Sequence, residues 1–172
     1  MKILILYATK GGVSRTCAKM LREQLEPTHE VTLCPIHEKQ PDPHDFDVAV
    51  VGGSVRFGHW NKKIKTYLRL HKETLSKMPT ALFFCCGFPL RYEEYAELEV
   101  PRGLSCSLGV HYFGGELKPE KLKGLDKLIV SAVRQSILTQ DFETKDDTTQ
   151  HSLPEILPEE ITRLADTIRK LK

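Results

Sequence analysis

The sequence predicts an α/β protein: a three-layer sandwich in which five parallel strands lie between two layers of helices. Three observations carry that expectation. Runs such as Ile3-Leu4-Ile5-Leu6-Tyr7 are continuously apolar rather than alternating, as strands buried on both faces are. These runs alternate along the chain with stretches whose apolar residues recur at helical spacing. Parallel neighbours require a crossover, and the intervening helices supply it, right-handed, on either face of the sheet.

Taken in order, Lys2 to Ala8 reads as the first strand. Cys17, Ala18, Leu21 and Leu25 then place a helix from about Ser14 to Glu26, which Pro27 stops. Glu30 to Cys34 is a short second strand, followed by a Pro- and His-rich connection from Pro35 to His44. Phe46 to Val51 is the third, ending in Gly52-Gly53-Ser54. One helix from Asn61 to Ser76 sets Ile64, Tyr67, Leu68, His71 and Leu75 on one face and its lysines on the other. Ala81 to Cys86 is the fourth strand, Tyr92 to Val100 an acidic, weakly helical stretch, and Leu108 to Phe113 the fifth strand. Leu125, Leu128, Ile129, Ala132 and Val133 mark an amphipathic helix. After a polar, low-complexity stretch from Thr139 to Ser152, Ile161, Leu164, Ala165 and Ile168 mark the last helix, with Pro158 in its first turn. No internal repeat is visible.

At 172 residues and 40% hydrophobic content, the expectation is a single domain over residues 1–172 that folds without metals or disulfides. No run approaches the ~18 apolar residues of a membrane span. Met1-Lys2 leads into a strand rather than a signal-peptide pattern, so the expected location is the cytoplasm, with peripheral membrane contact left open. Cys17, Cys34, Cys85, Cys86 and Cys106 form an odd set without zinc-type spacing, as reduced thiols of a cytosolic protein do. The histidines show no HxH or HExxH pattern, so no metal site is expected. A net charge of +2, without a readable basic motif, argues against nucleic acid as a partner. Charge is nevertheless uneven: Lys62, Lys63, Lys65, Arg69 and Lys72 crowd one stretch, and Glu93, Glu94, Glu97 and Glu99 another.

The chemistry concentrates at three strand ends, where ligands of a doubly wound sheet sit. Thr9-Lys10-Gly11-Gly12-Val13-Ser14 joins the first strand to the first helix and reads as an anion cradle. Glycines permit a tight turn, Thr9 and Ser14 offer hydroxyls, and the helix N-terminus presents unpaired N–H groups and a positive dipole end. A phosphate monoester suits it. After the third strand comes Gly53-Ser54-Val55-Arg56-Phe57-Gly58-His59-Trp60, and after the fourth Cys86-Gly87-Phe88, with Tyr92 close behind. A cradle flanked by aromatic-bearing loops suits a flat ring joined to a phosphate, with Phe57 or Trp60 on one face and Tyr92 or Phe88 on the other. Each of these aromatics also reads as core packing or a surface plug, Phe88 most readily, and Arg56 and His59 read equally as solvated loop residues.

Over essentially its whole length the chain resembles the flavodoxin-like family, through Tyr7-Ala8-Thr9-Lys10-Gly11-Gly12-Val13-Ser14-Arg15 and Gly52-Gly53-Ser54-Val55-Arg56-Phe57-Gly58-His59-Trp60. The second motif, with Met78-Pro79-Thr80-Ala81, looks closer to the flavodoxin-type, menaquinone-dependent protoporphyrinogen dehydrogenases than to the short electron carriers. Phe113-Gly114-Gly115-Glu116-Leu117 is similar to a wider group of bacterial flavodoxin-domain proteins. The resemblance implies strand order 2-1-3-4-5 and FMN as cofactor. It implies that Thr9, Ser14 and the N–H groups of Lys10 to Ser14 hold the phosphate. Ser54, Val55 and Arg56 would lead into Phe57 against the flavin, and Gly58 would bond N5 through its peptide. Cys86, Gly87 and Tyr92, with Phe88 among them, would run along the pyrimidine edge and the outer ring face.

Some features depart from the family pattern. Gly11 stands where flavodoxins carry a threonine, with Lys10 and Arg15 available to compensate by charge. Where the porphyrinogen enzymes have a longer basic loop, this chain has the acidic Tyr92 to Val100 segment, so porphyrin oxidation does not follow from the resemblance. The functional expectation is an FMN oxidoreductase passing electrons from a donor to a quinone, a porphyrin-type substrate or another small molecule, with His59 as proton donor. The alternatives are an electron carrier between protein partners and a cofactor-free binding domain on the same fold.

Overall fold

The computed structural model describes residues 1–56, 58–87, 92–116 and 154–171, together with 124, 127, 128, 131, 132 and 135. Phe57, Phe88, Leu117, Leu125, Ile129, Val133 and the Thr139 to Ser152 stretch lie outside the described residues. Five strands, β1 (Lys2–Ala8), β2 (Glu30–Pro35), β3 (Val48–Ser54), β4 (Thr80–Cys85) and β5 (Val110–Tyr112), pair in the order β2-β1-β3-β4-β5. Every pairing is parallel. The described helices are α1 (Val13–Leu25), α2 (Lys62–Leu70), α3 (Lys72–Lys77), α4 (Tyr92–Glu99) and α5 (Pro158–Arg169).

The continuous apolar runs have the expected cause: both faces of the sheet are covered. Ile3, Ile5, Val50 and Phe83 point toward α1 and α5, where Leu21, Leu25, Leu164 and Ile168 are fully buried. Leu4, Leu6, Val51 and Phe84 point the other way, against Trp60, Ile64, Tyr67 and Leu75. Adjacent residues of one strand thus feed opposite cores.

Several boundaries differ from the sequence reading. The third strand begins at Val48 rather than Phe46 and runs through Gly52 and Gly53 to end at Ser54, its last three residues paired with Phe83, Phe84 and Cys85 of β4, and the Phe83 side chain lies against Gly52. A Cβ there would meet that side chain at 2.3 Å. The fifth strand shrinks to Val110–Tyr112. The helix expected from Asn61 to Ser76 is divided at His71, whose φ of −104° and ψ of 17° leave the helical range. Ile64, Tyr67, Leu68 and Leu75 are buried all the same: the period records a shared face rather than a continuous axis. In the expected amphipathic helix, Leu128 and Ala132 are helical yet exposed, Leu128 at 68%. Among the described residues, no helix is long and apolar enough to cross a membrane.

Candidate functional site

Register brings three loops to one level of the sheet. Ala8 sits beside Gly53, and Gly53 and Ser54 beside Phe84 and Cys85. The segments leaving β1, β3 and β4 therefore emerge together at the carboxyl end, where strand order reverses between β1 and β3.

The first loop is closed by Thr9, whose Oγ1 accepts the Gly12 N–H at 3.0 Å, leaving its own O–H to donate. Gly12 is the N-cap of α1 with φ 93°, a left-handed conformation that costs glycine little, and no side chain caps the helix. The first turn carries no acidic residue, and the first helical hydrogen bond runs from Thr16 N–H to Gly12 O at 3.0 Å. The N–H groups of Val13, Ser14 and Arg15 consequently have no partner among the described residues. Ser14 is fully buried and its Oγ has no hydrogen-bond partner. It pulls back the Cys85 thiol, whose pKa burial drives well above the ordinary value, without reaching hydrogen-bond geometry. Cys85 Sγ lies 3.8 Å from Cys17 Sγ.

This donor set fits a phosphate. An orphaned hydroxyl, open amide groups and a positive helix end share one turn, the first turn of α1 carries no acidic residue, and a phosphate oxygen would supply the acceptor that Ser14 lacks among the described residues. Lys10 and Arg15 are exposed beside the cradle, and Gly11 and Val13 are half-buried in it.

In the second loop, Ser54 ends β3 and the half-buried Val55 donates its N–H to Cys85 O at 2.9 Å. Arg56 and His59 then exchange N–H···O bonds of 2.9 and 3.0 Å, closing a turn with Gly58 in its third position. Gly58 has φ 77°, a left-handed conformation that costs glycine little. Trp60, offered from sequence as a ring to stack on a ligand, is only 2% exposed; its centroid lies 4.2 Å from that of Phe84 and its Nε1 donates to Gly53 O. It is a core residue that anchors the turn.

Cys86 opens the third loop. It is buried, its N–H donates to Gly114 O, and its carbonyl accepts from the Tyr112 hydroxyl. Gly87 follows, half-buried, and Tyr92 begins α4.

One residue near the turn went unnoticed in sequence. Glu99, the last residue of α4, is 8% exposed. Its Oε2 accepts the Trp60 N–H at 3.0 Å and meets Lys65 Nζ at 2.6 Å, while its Oε1 lies 3.2 Å from His59 Nδ1. Burial pushes its carboxyl up, but Lys65, the Trp60 N–H and His59 together outweigh that and hold it below the ordinary carboxylate range. In sequence it stood in an acidic stretch with no local mark of its partners.

A doubly wound parallel sheet with an anion cradle at its switch point defines the class of protein. Residues 4–145 match the flavodoxin domain, and the chain belongs to that family. It is 29% identical over 85 residues to protoporphyrinogen IX dehydrogenase [quinone] of Escherichia coli K12, a match covering 48% of this chain and 47% of that protein. The Leishmania major protein of the same name matches at 29% identity, over 48% of this chain and 37% of its own. The matched chain thus spans about half the length of the Escherichia coli relative or less. Among solved structures, rubredoxin oxygen:oxidoreductase of Desulfovibrio gigas aligns with a TM-score of 0.51 at 11% identity, covering 99% of this chain and 37% of that one. A short-chain flavodoxin associated with a PDU bacterial microcompartment aligns at 0.50 and 17% identity, over 79% of this chain and 99% of that one. At such identities the likeness is one of fold.

Proposed function

We propose that this chain binds FMN and acts as an oxidoreductase that passes electrons to a quinone or another small acceptor. The carrying observation is the open N-terminus of α1 with the orphaned Ser14 hydroxyl in its first turn, a set of donors lacking acceptors among the described residues at the switch point of the sheet. Thr9 and Ser14 would hold the phosphate together with the N–H groups of Val13, Ser14 and Arg15. Bound FMN supplies the redox chemistry, accepting and releasing electrons as a pair or singly. Gly58 would offer its peptide to the ring edge, as the family resemblance implies. His59, on the same turn with a side chain 76% exposed, would give a proton to a reduced acceptor. The quinone in the names of the matched relatives supports that class of acceptor.

Titration of the folded chain with FMN, followed by quenching of flavin fluorescence, tests the cofactor. Saturable binding that riboflavin, lacking the phosphate, fails to reproduce is the expected result; no binding to folded chain defeats the proposal. His59→Ala should slow quinone reduction while leaving FMN bound, and unchanged turnover removes it from the mechanism.

A second reading, an electron carrier between proteins, draws on the exposed Lys62, Lys63 and Arg69 of α2 beside the turn. It predicts electron-transfer rates with an acidic partner protein that fall steeply with ionic strength.

A further inference from the structure

We propose that Glu99 is a positioning residue for His59: through it, α4 dictates which imidazole nitrogen the Arg56–Trp60 turn presents to a substrate. The role in turnover rests on the FMN reading above; the geometry does not. Glu99 divides its oxygens. Oε2 takes the two donors that tie elements together, the Trp60 N–H and Lys65 of α2, at 3.0 and 2.6 Å. Oε1 is left facing His59 Nδ1 at 3.2 Å.

An ionised carboxylate only accepts hydrogen bonds. Glu99 is held ionised by its donors, so a neutral His59 must carry its proton on Nδ1 and keep a bare lone pair on Nε2. Isolated imidazole side chains in water favour the opposite tautomer, so the contact leaves a signature. In turnover, the imidazolium would release its Nε2 proton to the reduced acceptor and regain one from water, while the Nδ1 proton stays on the ring, hydrogen-bonded to Glu99. Among the described residues, the charged groups that meet the ring or its carboxylate partner are Glu99 of α4 and Lys65 of α2, while Arg56 shares the turn through its backbone.

Donor accounting makes Glu99→Gln diagnostic. The single oxygen of a glutamine must face the two donors, Trp60 N–H and Lys65, which leaves its NH2 opposite Nδ1. Nδ1 must then accept, and the proton moves to Nε2. Nitrogen-15 NMR of the ring in the full chain, with and without FMN and with the imidazole neutral, reads this directly, His59→Ala providing the assignment. In wild type Nδ1 should be pyrrole-like and Nε2 pyridine-like, and in Glu99→Gln the two should exchange.

A wild-type Nε2–H tautomer, or a Glu99→Gln variant with the wild-type pattern, overturns the proposal. Should that variant fail to fold, the wild-type spectrum alone decides. In quinone reduction, Glu99→Gln should lower kcat about tenfold in the wild-type background and leave it unchanged in a His59→Ala background. An equal loss in both backgrounds means that Glu99 does not act through His59. If wild type binds no FMN, the proposed function falls, and the ring resonances still decide the tautomer.

Discussion

Ser14 carries opposite consequences for the flavin-free and the loaded chain. A buried hydroxyl without a partner costs about 1–3 kcal/mol. Ser14→Ala is therefore expected to stabilise the flavin-free chain by about 1 kcal/mol in urea unfolding, while weakening FMN roughly tenfold in fluorescence titration. A loss of stability instead would mean that the hydroxyl already has a partner. Gly58 lies at φ 77°, open on the side where a Cβ would stand, so Gly58→Ala meets backbone strain without a clash. A loss of about 1 kcal/mol in the same unfolding experiment is expected.

Glu99 gives stability a pH dependence. Its folded pKa is lowered, so its contribution is fully present above the unfolded value of about 4.3 and is lost as pH falls through the folded one. At neutral pH, Glu99→Gln should cost about 2 kcal/mol, the worth of its charged hydrogen bonds. Urea midpoints of the two proteins should converge in acid; a gap independent of pH would contradict this origin.

At the scale of elements, α1 and α5 form one layer. Leu21 and Leu25 of α1 and Leu164 and Ile168 of α5 are fully buried against β1, β3 and β4. Leu164→Ala should therefore cost about 2–5 kcal/mol by lost transfer energy and a residual cavity, read as a shift of the urea midpoint without change of slope. Both helices were legible from spacing alone, because an apolar residue every third or fourth position has no other simple reading. The break at His71 was not. Tyr67 and Leu75 share a face across it, Tyr67 also reaching Pro41 O through its hydroxyl, and periodicity is blind to a change of axis that preserves the face. Between stacking ring and core residue, sequence left Trp60 open for a related reason: it lies in a loop without period, and only the approach of Phe84 and Gly53 O makes it core.

For the whole molecule, a ligand that binds only the folded chain must stabilise it. FMN at a hundred times its dissociation constant should add about 2.7 kcal/mol to unfolding, seen as a concentration-dependent rise in Tm. Riboflavin should add much less if the phosphate carries the binding.

The alternation of buried strands and amphipathic helices, and the glycine- and hydroxyl-bearing turn between β1 and α1, were readable from sequence alone. Both are contiguous, and local geometry converts adjacent residues into a strand end, a turn and a helix start. Tertiary structure alone decided that Glu99 meets His59 across 40 residues and that Cys85 meets Cys17 across 68. It alone left the Ser14 hydroxyl without a partner. Such contacts depend on how separate elements pack and register, and packing between distant segments imprints no period on the chain.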